Sequence, residues 1–206
     1  MTILSKRYMK KQFFLFAFFL LFFASCYAQD SLLLEVNQQR LQVNKTAMWV
    51  LGSWAVGNMA TSGILRSQTS GSTRYFHEMN VFWNVVNLGL AGGSLYATYR
   101  ADPGGFTLWQ SLGEQESIEK LLLFNAGLDV GYIMTGAYLM ERSRRATNRP
   151  ERLKGYGQSL LLQGGFLLAF DLTFYLIQHK VTHPTLQQLI QGLSVSPQGM
   201  GLNLTF

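Results

Sequence analysis

The chain has 206 residues, enough for one domain, and it is apolar and aromatic, with 14% charged residues. Its formal charge of +6 is concentrated at one end: Lys6, Arg7, Lys10 and Lys11 lie in residues 1–28, which carry no acid, so the remainder is close to neutral and charge gives no support to nucleic-acid binding. The single cysteine, Cys26, excludes an intrachain disulfide and any zinc or iron–sulfur site built on several thiolates.

Residues 1–28 read as a signal peptide. The basic stretch leads into the apolar run Phe13–Phe23, too short to span a bilayer comfortably. Cys26-Tyr27-Ala28 then offers small residues at the −3 and −1 positions of a cut before Gln29. A second reading takes Phe23-Ala24-Ser25-Cys26 as a lipobox with Cys26 lipidated, although Phe23 is not the small aliphatic residue that such a site prefers. A third leaves the leader uncleaved as an anchor helix.

Residues 31–45 mix leucines with Gln, Asn and charges and predict an amphipathic helix. Apolar stretches follow at about 46–65, 76–99, 118–140 and 157–178, each near the ~20 residues that a bilayer core requires. The expected fold class is therefore all-α, a four-helix transmembrane bundle over residues 29–183. A water-soluble four-helix bundle would leave outward faces too apolar for water. Loop charges set the orientation. Arg66 and Arg74 follow the first stretch; Arg142, Arg144, Arg145, Arg149, Arg152 and Lys154, against Glu141 and Glu151, follow the third. Asp102, Glu114, Glu116 and Glu119, against Arg100 and Lys120, follow the second. The positive-inside rule places the first and third loops in the cytoplasm, and both mature termini in the periplasm. A cleaved signal peptide demands the same side for the N-terminus.

Residues 184–206 form a separate periplasmic tail. Pro184–Gly192 reads as a short amphipathic helix at best. Leu193–Phe206 reads as strand–turn–strand, with Ser196-Pro197-Gln198-Gly199 as the turn and period-two alternation from Met200 to Phe206. That alternation also resembles the last strand of an outer-membrane barrel, but a barrel needs it in every segment.

Polar residues within the spans recur at helical spacing. His77, Asn80, Asn84 and Asn87 share one face of the second, and Asn125, Asp129 and Tyr132 one face of the third. Ser159, Gln163, Asp171, Tyr175 and Gln178 share a face of the fourth, and Trp54, Asn58 and Thr61 one of the first. Lipid cannot satisfy such groups, so they should meet in the bundle centre. The candidate intramembrane polar site is His77, Asn80, Asn84, Asn87, Asn125, Asp129, Gln163, Asp171 and Tyr175. Asp129 and Asp171 fall near mid-membrane, where a carboxylate costs at least ~2.5–3.5 kcal/mol and has to be paired, hydrogen-bonded or protonated. They are the residues for a proton or cation relay; the competing reading is a structural network that fixes helix register. Gly127 and Gly131 form a GxxxG around Asp129, and Gly52, Gly57, Gly89, Gly92, Gly93, Gly164 and Gly165 supply further small residues for close helix packing.

Other motifs fail. His77-Glu78 begins an HExxH, but position 81 is Val81. His179 and His183 are four apart with no third ligand, so no metal site is expected. Walker A, Rossmann and serine-elbow patterns are absent, no catalytic residue is nominated, and no cofactor is expected. The basic run Arg142, Arg144, Arg145, Arg149, Arg152 and Lys154 is a topology determinant that can also contact anionic lipid headgroups.

In Tyr75-Phe76-His77-Glu78-Met79-Asn80, Trp83 to Leu90, Asn125 to Val130 and Glu151 to Gly157, the chain resembles a family of uncharacterised small membrane proteins from Bacteroidota. The resemblance covers most of the mature chain and implies a bacterial inner-membrane location and no assigned activity. The expected role is structural or interactive, with membrane lipids and a membrane or periplasmic protein as partners and no nucleic acid. The alternative is a small proton-coupled transporter or ligand-binding membrane protein using the two carboxylates. An intramembrane enzyme ranks last, because no nucleophile–base pair can be named.

Overall fold

The computed structural model describes the backbone of residues 3–192, 195–196 and 199–200, and the side chains of residues 31–187, 189 and 190. The fold is all-α: α1 (Ile3–Gln68), α2 (Gly71–Arg100), α3 (Leu108–Ser143) and α4 (Pro150–Gly192), with a single 3-10 turn at Pro103–Gly105. The leader, the amphipathic stretch and the first apolar block, read separately from sequence, run on as one helix. Residues 3–68 contain no proline and no glycine before Gly52, so nothing in the backbone breaks it.

The connections are short and locally determined. Gly71, at φ 58°, takes the left-handed turn between α1 and α2. Before α3, Asp102 Oδ1 accepts from the Gly104 amide at 3.0 Å. Thr107 and Gln110 then make a capping box: the Gln110 amide donates to Thr107 Oγ1 (3.3 Å) and the Thr107 amide to Gln110 Oε1 (2.9 Å). Pro150 opens α4, where its missing N–H has no partner to lose.

α1, α2 and α4 pack as a triangle, and α3 lies along α4 in the most extensive pairing. α2 reaches α3 through side chains, with Trp83 edge-on to Tyr132 at 4.7 Å between ring centroids. The tightest crossings are made by glycines of α4. A Cβ on Gly155 would lie 2.2 Å from the Ser72 carbonyl oxygen and 2.7 Å from the Phe76 nitrogen of α2. Gly157 and Gly136 meet carbonyl to Cα across α4 and α3, and Gly164 lies close against Ile133 and the Asp129 carbonyl. This corrects the reading of the Gly127–Gly131 pair: a Cβ at either would meet no atom within 4 Å, and the same holds for Gly57, Gly89, Gly92, Gly93 and Gly165. Those glycines face outward.

The radial distribution of polarity is inverted. Asn37, Asn80, Asn84, Asn87, Gln115, Asp129, Ser159, Gln163, Asp171 and Gln178 are buried, while Phe82, Leu90, Phe124, Met134, Tyr138 and Leu176 are exposed. Two apolar clusters complete the interior. One joins Met48, Leu51, Ala91, Leu122 and Phe174. The other joins Val36 to Leu186 and Leu189.

That second cluster explains another difference from the sequence reading. α4 does not stop before Pro184 but runs through it to Gly192. Proline removes one ladder bond, and burial of Leu186 and Leu189 against Val36, Leu108 and Leu112 offsets that loss. Beyond it, Val195–Ser196 pairs antiparallel with Gly199–Met200. The rest of the expected hairpin, residues 193–194, 197–198 and 201–206, lies outside the described residues. Among the described residues one helix, Pro150–Gln187, is by itself long and apolar enough to cross a membrane. In α2 and α3 the inward Asn and Asp faces lower the average.

Gly155→Ala forces backbone apart and should destabilise the chain by at least about 1–3 kcal/mol. Gly127→Ala should be neutral or stabilise by up to about 1 kcal/mol through helix propensity. Thermal unfolding of the two variants side by side measures the contrast.

Candidate functional site

The buried polar residues separate into two networks and a cavity. The first network centres on the Asn80 carboxamide. Asn80 Oδ1 accepts from Ser159 Oγ at 2.7 Å and from Gln163 Nε2 at 3.0 Å, both on α4. Asn80 Nδ2 donates to Ser62 Oγ of α1 at 3.4 Å, and His77 Nδ1 lies 3.2 Å from the same hydroxyl. Trp54 Nε1 donates to Gln163 Oε1 at 3.0 Å, while its ring stacks on Phe166 at 3.8 Å. Along α2, Asn84 donates to the Asn80 carbonyl (2.8 Å) and Asn87 to Asn84 Oδ1 (3.4 Å). Of the predicted residues, His77, Asn80, Asn84, Asn87 and Gln163 thus belong to one hub joining α1, α2 and α4. Ser62, not the exposed Thr61, is the α1 contributor.

The second network lies at the opposite end and was left out of the site expected from sequence, although Gln178 was read as part of the polar face of the fourth stretch. Asn37 Oδ1 accepts from Ser111 Oγ at 2.8 Å and Arg40 Nη2 at 3.3 Å, and its amide donates to the Pro103 carbonyl. Arg40, 2% exposed, pairs with Glu114 at 3.5 Å and lies over the Phe106 ring. Burial lowers the guanidinium's pKa, and the Glu114 carboxylate opposes that shift. Gln115 and Gln178 bond across α3 and α4, and Glu119 lies 3.1 Å from His179 Nδ1. Asn37, Arg40 and Asn44 are spaced i, i+3, i+7, so the signal was present. It sat in a stretch read as a lead-in to the bundle.

Between the networks a cavity of about 360 Å³ opens among α1, α2 and α3, with α4 as its floor. It runs from Arg40, Phe106 and Glu114 at one end to Leu51, Leu90, Asn125 and Asp171 at the other. Along α1 that is roughly 16 Å at ~1.5 Å per residue. Met48, Ile118, Leu122, Phe170 and Phe174 make its walls apolar, and Asn44, Ser94 and Thr98 form a hydrogen-bonded polar strip on one side. Asp171 is buried in the floor, and the carboxyl of Asp129, 3% exposed, faces it within hydrogen-bonding reach. Asp129 Oδ2 has no hydrogen-bond partner. Asn125 is half-buried at the cavity wall, and Tyr175 packs elsewhere, stacked on His179 at 5.7 Å.

Among the described residues no group of three or more His, Cys, Asp or Glu side chains is placed to hold a metal. His179 and His183 stack on each other at 4.4 Å. In the basic turn, Arg144 and Arg145 pair with Glu141, and Arg152 lies over Tyr156, which donates to Glu78 at 2.9 Å. Arg142, Arg149 and Lys154 make no ion pair among the described residues.

Replacing Asn80 by Leu strands the Ser159 hydroxyl and the Gln163 amide N–H together and should cost about 1–3 kcal/mol or more in unfolding experiments. Asn87→Leu removes one long bond and should cost under about 1 kcal/mol.

The model of a family of unknown function, DUF6992, covers residues 50–172. It takes in the Asn80 hub and both aspartates and leaves out Asn37, Arg40 and Gln178. No curated protein and no solved structure matches the chain.

Proposed function

The chain belongs to this family of unknown function, and we propose that it is a bacterial inner-membrane protein that binds a small amphipathic molecule between its helices. The cavity among α1, α2 and α3 carries the reading. An apolar chamber with a few convergent polar groups is the usual form of a small-molecule site, and this one ends on the buried Asp171, with Asp129 behind it. The Asn80 hub, with every group near a partner, serves as the structural fastening that holds the chamber's frame.

The inverted polarity supports a reading with four membrane-spanning helices. Apolar side chains on the outer faces suit lipid, and the Asn, Gln and Asp side chains inside need one another. The up–down topology brings the α1–α2 turn, with Arg66 and Arg74, and the α3–α4 turn, with Arg142–Lys154, to one end of the bundle. The Asp102 loop and Glu114 lie at the other. Charge asymmetry of that kind supports cytoplasmic basic turns and periplasmic mature termini. Arg142, Arg149 and Lys154 are the side chains left to meet anionic headgroups. An origin in Bacteroidota rests on the sequence resemblance.

Native mass spectrometry of the gently extracted protein should find a small molecule on the chain, absent from Ala97→Trp, which fills the chamber from the α2 side. An empty chain indistinguishable from that variant would overturn the binding reading. Orientation is tested separately. Cys26 leaves with the leader, so a cysteine placed at Thr147 should label only from the cytoplasmic side and one at Gly104 only from the periplasm. The reverse pattern would invert the proposed topology.

A further inference from the structure

We infer that the ligand carries a protonated amine at one end of an apolar body, with the ammonium seated at the Asp129–Asp171 carboxyl pair; this rests on the ligand-binding reading above. Asp171 and Asp129 are 6% and 3% exposed, and among the described residues no N–H donor and no Ser, Thr or Tyr hydroxyl reaches either carboxyl. Asp129 Oδ2 is buried without a partner. Among the described residues the other buried side-chain atoms without a partner are Arg40 Nε, Trp83 Nε1 and Gln178 Oε1, so Asp129 Oδ2 is the one carboxyl oxygen in this interior left as an acceptor without a donor.

Carboxyl oxygens that face each other need a proton or a cation between them. An ammonium brings three N–H donors and one positive charge to such a pair. The other charged groups lining the cavity, Arg40 of α1 and Glu114 of α3, are paired with each other at its far end. α2 contributes Leu90, Ser94, Ala97 and Thr98, none charged, and α4 contributes Phe170 and Phe174 beside Asp171. A positive end therefore meets Asp171 at the cavity floor, with Asp129 next to it, without a competing protein cation, and the body of the molecule lies along Met48, Leu51, Ile118 and Leu122. An anionic amphiphile would instead bring its charge to two carboxyls.

The test compares three probes of equal length on the full chain in detergent by titration calorimetry: heptylamine, heptanol and heptanoate. The amine should bind at least about tenfold tighter than the alcohol, and heptanoate weakest. The preference for the amine should vanish in Asp129→Asn/Asp171→Asn while alcohol binding persists. Amine and alcohol binding equally would overturn the amine assignment and leave the cavity reading standing. No binding of any probe, in wild type and Ala97→Trp alike, would overturn both. The ranking on the wild-type chain decides the matter even if the double variant does not fold.

Discussion

One carboxamide organises the bundle. Asn80, 2% exposed, projects from α2 into the bundle interior, where leaving a polar atom without a partner is costly. Its oxygen takes two donors from α4 and its nitrogen gives one to α1, so three helices are positioned by the reach of a single side chain. Dispersion between apolar faces has no such directionality. With α1, α2 and α4 tied in this way, α3 is left to pack along α4 from the other side. The cleft between α3 and the α1–α2 pair becomes the cavity.

The bundle is tight at one end and open toward the other, and the residue sizes account for it. Near the basic turns, Gly155, Gly157, Gly136 and Gly164 bring backbones into contact. Further along, Met48, Leu122, Phe170 and Phe174 hold the helices apart. The chamber forms where large side chains meet small ones such as Ser94 and Ala97, which do not fill the space.

Much of this was legible in the sequence, for a definite reason. The spacing of His77, Asn80, Asn84 and Asn87 is a property of one helix, and one helix can be read alone; all four are buried on one face as the spacing requires. What a single sequence does not encode directly is which faces meet. Gly127 and Gly131 satisfied the packing motif yet face outward, while Gly155 and Gly157, which carry the crossings, were not among the glycines read as packing positions. Asn37 and Arg40 were passed over because a half-polar stretch resembles an exposed amphipathic helix, and only the arrival of Ser111, Glu114 and Phe106 from elsewhere in the chain makes it interior. Pro184 misled for a similar reason: its local cost is visible, and the distant leucine contacts that offset it are not.

The continuity of α1 has a geometric consequence. Its 66 residues make a rod on the order of 100 Å, about three times the hydrocarbon thickness of a bilayer. In the proposed orientation, removal of the leader before Gln29 leaves Ser31–Asn44 above the lipid, beside the start of α3 and the last turns of α4. These three overhanging pieces make a collar, cross-linked by Asn37, Ser111, Arg40, Glu114, Gln115 and Gln178. The cavity starts inside this collar, at Arg40, Phe106 and Glu114, so in the proposed orientation a molecule would enter among the overhanging pieces and pass down the apolar walls to Asp171.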